Sequence, residues 1–144
     1  MQTIYFYNSK EPYGFLNNYT RTRIFIFEKW YPTVEHAYQA QKATNAKDHE
    51  LIRTAPTPKD ARILGQQIKM IDGWDNIKIG VMRTCLIAKF TQHPQLLVEL
   101  ISTGNSEIVE DSPIDSFWGI GEHKNGQNNL GKLLVEVRNL LNKN

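Results

Sequence analysis

Cysteine is almost missing from this 144-residue chain, in which Cys85 stands alone. One thiol cannot close an intramolecular disulfide. With no Cys/His cluster at metal-ligand spacing either, a disulfide framework and a zinc finger are both excluded, and no metal or cofactor is expected. Long apolar runs are missing too. No stretch approaches the roughly 18 consecutive apolar residues that a membrane span needs. The opening MQTIYFYNSK has no charged segment leading into an apolar core, so neither a membrane partner nor a signal peptide is expected and a cytoplasmic protein is the default. Charge of one sign is also lacking: 17 Lys and Arg against 15 Asp and Glu leave +2, and the basic residues are scattered. General affinity for nucleic acid does not follow from that distribution. A compact pocket for one phosphorylated or flipped nucleotide would need only a few of these charges. No HExxH, P-loop or GxSxG motif is present, and His36, His49, His93 and His123 lie at no metal or triad spacing.

What remains is ordinary globular composition, 40% hydrophobic and 22% charged, over a length suited to one domain, residues 1–144. A chain of this size buries roughly 68–70% of its unfolded surface, enough for a core without staples. Thr3 to Tyr7 and Arg23 to Phe27 are rich in β-branched and aromatic residues and predict strands, separated by a turn-rich loop from Asn8 to Asn18. Helices dominate afterwards. Thr33 caps one running to about Ala46, and Thr57 with Pro58 and Asp60 opens another to about Lys69. Trp74 to Phe90 has the pattern of a largely buried helix, Pro94 to Ser102 is a shorter one stopped at Gly104, and about Leu130 to Asn142 shows clear helical spacing of leucines. Asp111 to Gly131 fits neither period. It holds four of the nine glycines, and its apolar residues Ile114, Phe117, Trp118 and Ile120 argue for an ordered, functional loop rather than disorder.

Two places carry candidate chemistry. On the first helix Glu35, Tyr38, Gln39 and Lys42 fall within about 100° of one another, forming a polar stripe opposite the small residues Val34, Ala37, Ala40 and Ala43. A solvated face is the competing explanation. The small opposite side predicts close packing, and Glu35 sits in the first turn, where the helix dipole favours its ionised form. The second place is Asp115-Ser-Phe-Trp-Gly-Ile-Gly121, in which Trp118 offers a stacking face and glycine allows close backbone approach to a ligand. Glu110, Asp111 and Asp115 put three carboxylates within six residues there. Here the competing explanation is a structural turn with solvated acids and a core tryptophan. Trp74 reads as a core anchor or as the second wall of a base pocket.

Several segments, taken in order, carry a family resemblance: Phe6-Tyr-Asn-Ser, Gly14-Phe-Leu-Asn-Asn18, Trp30-Tyr-Pro-Thr-Val-Glu-His-Ala-Tyr-Gln-Ala-Gln-Lys-Ala43, Lys89-Phe-Thr-Gln-His-Pro94, Thr103-Gly-Asn-Ser-Glu-Ile-Val-Glu110, Asp115 to Gly121 and Asn128-Asn-Leu-Gly-Lys-Leu-Leu134. Together they resemble the YbiA-like, or NADAR, proteins over essentially the whole chain. The resemblance implies an α+β fold, a compact, mainly helical single domain with a small N-terminal β-sheet, acting as an N-glycosidase. It implies Glu35 and Asp115 as the catalytic acids and Trp74 and Trp118 as stacking residues. Lys42, Glu110, Tyr7, Gly119 and Asn17 complete the expected substrate-binding set. One departure is Gln66, where the family run carries an arginine, and it bears on a phosphate contact and hence on the substrate.

Cleaving an N-glycosidic bond passes through an oxocarbenium-like sugar, so a carboxylate is needed near the anomeric carbon. Glu35 is expected to activate water or stabilise that cation and Asp115 to orient ribose hydroxyls or assist proton transfer, with the two roles exchangeable at this stage. The expected partner is a small phosphoribosyl substrate of the early riboflavin-pathway type. The alternatives are ADP-ribosylated guanine in nucleic acid and a non-catalytic ADP-ribose or nucleotide binder. The oligomeric state is left open.

Overall fold

In the computed structural model, which describes residues 2–143, four strands and six α-helices alternate unevenly along the chain, giving a mixed α+β fold. In chain order these are β1 (Thr3–Phe6), β2 (Ile24–Ile26), β3 (Lys29–Tyr31), α1 (Val34–Ala40), α2 (Ala46–Arg53), α3 (Pro58–Gln67), α4 (Trp74–Gln92), α5 (Pro94–Ser102), β4 (Glu107–Glu110) and α6 (Asn129–Leu141). They group into two units, residues 18–92 and the chain segments on either side of it. No helix among the described residues is long and apolar enough to cross a membrane.

The inner unit is built on α1. Thr33 caps it as expected, its hydroxyl accepting from the His36 amide. The helix is shorter than its sequence pattern suggests and ends at Ala40, because Ala43 bridges to Met70 and the Lys42 carbonyl accepts from the Ile71 amide. A new cap at Asn45, accepting from the Asp48 amide, then starts α2, a helix for which the sequence pattern gave no signal between Ala46 and Thr57. Thr57 caps α3 as predicted, accepting from the Asp60 amide at 3.0 Å while donating to the Asp60 carboxylate at 2.9 Å. Val34, Ala37 and Ala40 are fully buried, and α1 packs on α2, α3 and α4. The α4 helix is buried on one face only: Met82, Cys85, Leu86 and Phe90 lie in the core, whereas Ile77 is 46% exposed. Lys89 on α4 is fully buried, and burial draws its ammonium down to about 7. Strands β2 and β3 form an antiparallel hairpin tied to the end of α4, where the Gln92 carboxamide exchanges two hydrogen bonds with the Phe25 backbone.

In the outer unit β1 pairs in parallel with β4, in register from Thr3 opposite Glu107 to Phe6 opposite Glu110. The N-terminal strand thus finds its partner about a hundred residues later rather than in the neighbouring hairpin. The α6 helix covers β4, and Gly131 permits the approach, since a Cβ there would collide with the Ile108 carbonyl and the Asn128 carboxamide. Asn128, in the left-handed region at φ 53°, fastens the same junction by accepting from the Glu110 amide and donating to the Ile108 carbonyl. The long segment before α6 is ordered by its own backbone. Amides of Gln127, Asn128, Asn129 and Leu130 donate to carbonyls of Ser116, Gly119, Phe117 and Trp118 at 2.8–3.1 Å. Ile114 is no part of that order: it is 74% exposed, whereas Phe117, Trp118 and Ile120 are half-buried.

Candidate functional site

The expected residues fall into two sets, each within one unit. Glu35, Lys42 and Trp74 belong to residues 18–92. Tyr7, Asn17, Glu110, Asp115, Trp118 and Gly119 belong to the outer unit.

In the inner unit the polar stripe of α1 turns inward. Glu35 is 7% exposed, Gln39 is 5% exposed and Tyr38 is buried with them, so a solvated face is ruled out. The Glu35 amide donates to the Asn18 carbonyl at 3.2 Å, and its carboxylate accepts from the Gln39 Nε2 at 2.7 Å, the short distance of a charge-assisted bond. Lys42 lies just past the helix, with its Nζ 5.9 Å from the centre of the Tyr38 ring. Burial lowers the Lys42 pKa, and the negative charge of Glu35 opposes that shift, which couples the two groups electrostatically. Lys78 lowers it further and Asp75 raises it. Trp74, the first residue of α4, packs on Tyr38 with ring centres 5.2 Å apart and is 4% exposed, so its role as core anchor is plain. Cys85 on α4 is buried within range of the same negative charge. Burial, with the Glu35 charge adding to it, pushes its thiol up to about 12 and makes it inert near neutral pH. A cavity of about 620 Å³ on the outer side of α4, lined by Phe27, Ile77, Gly80 and Thr84 among others, includes none of the expected residues.

In the outer unit Asp115 organises the glycine-rich loop. Its Oδ1 accepts from the Phe117 and Trp118 amides at 2.9 and 2.8 Å, and its own amide donates to the Ser112 hydroxyl at 2.9 Å. This is an Asx-type turn. It sets Trp118 edge-on against Phe117, ring centres 4.9 Å apart. Gly119 is required to be glycine by crowding, because a Cβ there would come within 2.7 Å of the Glu110 carbonyl. That same carbonyl accepts from the Ile120 amide, which ties Glu110 to the loop. Tyr7 and Asn17 are joined by a bond from the Asn17 carboxamide to the Tyr7 carbonyl. Asp111 is held separately by Lys124 at 3.3 Å.

Two participants, Asn18 and Gly65, carry no signal for the site in the sequence, and the bond made by a third, Gln39, carries none either. Asn18 supplies a backbone carbonyl, which no side-chain pattern signals. Gln39 was visible in the stripe, yet spacing alone says nothing of its bond to Glu35. Gly65 on α3 faces Gln39, and its only signal was a glycine inside a helical run.

Comparison with known proteins relates this chain to others over nearly its whole length. The N-glycosidase of Nostoc punctiforme is 43% identical over 96% of this chain and 95% of its own length. The N-glycosidase YbiA of Escherichia coli is 38% identical over 96% of this chain and 88% of its own. The NMR structure of that Escherichia coli protein superposes with a TM-score of 0.89, covering 98% of this chain and 86% of the other. A riboflavin biosynthesis protein of Vibrio vulnificus is 36% identical over 95% of this chain and 38% of its own length. The NADAR domain family itself matches residues 5–142, from within β1 to the residue just past α6. With that match over nearly the whole chain and relatives of 38–43% identity, the chain belongs to the NADAR domain family.

Proposed function

We propose that this N-glycosidase hydrolyses the ribose–nitrogen bond of a phosphoribosylated amino-pyrimidine of the early riboflavin-pathway type, with Glu35 as the base that activates water. The observation that carries the reading is the Glu35 carboxylate itself: buried, fixed by a 2.7 Å bond from Gln39 and coupled to the Lys42 charge. The riboflavin name of the Vibrio relative supports the substrate class. In the reaction the bond between C1′ and nitrogen breaks with its electron pair leaving on nitrogen. A water oxygen then bonds to C1′ and gives one proton to Glu35. The departing nitrogen takes up a proton, so ribose 5-phosphate and the free amine are the products and Glu35 is restored by releasing its own. Asp115 has committed Oδ1 to the loop backbone, which leaves Oδ2 to accept from ribose hydroxyls. Trp118, Tyr7, Asn17, Glu110 and Gly119 are read as substrate-binding residues, and Lys42 as the phosphate contact that holds Glu35 ionised. Trp74 acts from beneath by fixing Tyr38. A cytoplasmic setting fits the single buried thiol.

The test is to incubate the protein with the early riboflavin intermediates and measure ribose 5-phosphate. Release that disappears in Glu35→Gln is expected. A folded protein that releases none overturns the substrate. ADP-ribose release from an ADP-ribosylated oligonucleotide would select the guanine glycohydrolase, and tight ADP-ribose binding without turnover would select the binder.

A further inference from the structure

The bond between Gln39 and Glu35 is surrounded by two local sacrifices. The far end of the Gln39 carboxamide, Oε1, is buried and has no hydrogen-bond partner among the described residues, a costly state for an acceptor shut away from water. That oxygen lies against α3 at Gly65. A Cβ built on Gly65 would collide with Oε1 and come within 2.9 Å of the Gln39 Cδ and 3.3 Å of its Cβ. Glycine inside a helix is itself unfavourable relative to alanine. Turning the carboxamide over would not repair the first sacrifice, because Oε1 would then face the Glu35 carboxylate and two acceptors would meet. Both features therefore follow from one requirement, that Nε2 point at Glu35.

We infer that Gln39, seated against the bare backbone of Gly65, is the positioning residue that aims the Glu35 carboxylate and keeps it ionised. This rests on the reading of Glu35 as the base. A hydrogen bond donated to the charged form of a carboxyl lowers its pKa, and its loss raises it. Among the groups coupled to Glu35 in this unit are the Lys42 ammonium just beyond α1 and the Cys85 thiol on α4, while Asp75 and Lys78 at the start of α4 act on Lys42. Cys85 titrates near 12 and is silent in the acid range. A probe on the Glu35 carboxyl itself separates its titration from those of its neighbours.

The experiment is a 13C NMR titration of the Glu35 side-chain carboxyl in the wild-type protein and in Gln39→Met, which keeps the length of the side chain and removes the donor. The expected result is a Glu35 midpoint higher in the variant by about one to two pH units, with the acid limb of kcat/KM moving by the same amount and KM nearly unchanged. Gly65→Ala should raise the midpoint with Gln39 still in place and lower the Tm. In a Gln39→Ala background the collisions with Oε1 and Cδ are gone and only the 3.3 Å approach to the Cβ remains, so the same Gly65→Ala change should lower the Tm less than it does in the wild type. An unmoved Glu35 midpoint in Gln39→Met overturns the inference, whether or not Gly65→Ala folds. Full turnover in Glu35→Gln overturns the base assignment instead, so the two failures are told apart.

Discussion

The indole of Trp74 rests on the phenol of Tyr38 with ring centres 5.2 Å apart and planes inclined by 56°, joining the start of α4 to the helix that carries Glu35. A tryptophan so deeply buried contributes packing before it contributes binding. Trp74→Ala should therefore lower unfolding free energy by about 3–5 kcal/mol, measured by urea denaturation, with Trp74→Phe losing less. A loss under about 1 kcal/mol would show that the ring is no core anchor.

Asp115 has two oxygens with different duties, and conservative substitution separates them. Asp115→Asn keeps an acceptor for the Phe117 and Trp118 amides, so its melting should stay close to wild type. Its second position becomes a donor that cannot accept from a ribose hydroxyl. A KM higher by roughly tenfold is expected, the effect of about 1.4 kcal/mol in binding, as measured by steady-state ribose 5-phosphate release. Asp115→Ala should in addition destabilise the half-exposed loop by about 1–2 kcal/mol. An unchanged KM in Asp115→Asn removes Asp115 from the substrate contacts.

His36 is buried beside Glu35 in sequence but faces away from it in its bonding. Its Nε2–H donates to the Ala55 carbonyl at 2.9 Å, and its Nδ1 accepts from the Thr33 hydroxyl at 2.8 Å, an arrangement for the neutral ring. Burial lowers its pKa, only partly offset by the Ala55 bond. The unfolded chain then binds the proton more readily than the native one. His36 thus contributes stability that is complete above the usual histidine value of 6.5 and is lost as pH falls through the lower native value. Denaturation midpoints taken from pH 8 to pH 5 should decline in wild type, and the decline should be shallower in His36→Gln, each variant being compared with its own value at pH 8. Equal slopes would mean that His36 accepts the proton in place.

The caps and the long helices were legible because their signals are local: Thr33, Thr57 with Asp60, and the leucine spacing of α6 each act within a few residues. The break between α1 and α2 was not, since the Lys42 carbonyl is taken by Ile71, almost thirty positions on, and nothing in the pattern around Lys42 foretells it. The β4 strand was hidden for the same reason. Its four residues pair with β1 in parallel, without the turn chemistry that announces a hairpin. In the candidate site Glu35 and the tryptophan loop could be marked from residue type and motif. The direction of the stripe could not, because burial of a polar face depends on what α3 and α4 bring against it.

The hairpin of β2 and β3 was harder still to read, and its strain can be relieved. Ile26 pairs with Lys29, so Phe27 and Glu28 form a two-residue connection, with φ of 53° and 66°. Both values lie in the left-handed region, as a type I′ turn requires, yet neither residue is one that favours it. Asn and Gly adopt this conformation at little cost, and glycine has no Cβ to clash. Replacing Phe27 by Asn and Glu28 by Gly should therefore raise stability, by about 1–2 kcal/mol less the entropy that a new glycine adds to the unfolded chain. Phe27 is 40% exposed, so little buried apolar contact is forfeited. Thermal unfolding should register an increase of several degrees with N-glycosidase turnover unchanged, since neither residue belongs to the candidate site. A lower Tm would mean that Phe27 contributes more against α4 than the turn costs, and Phe27→Ala alone would then fall by at least as much.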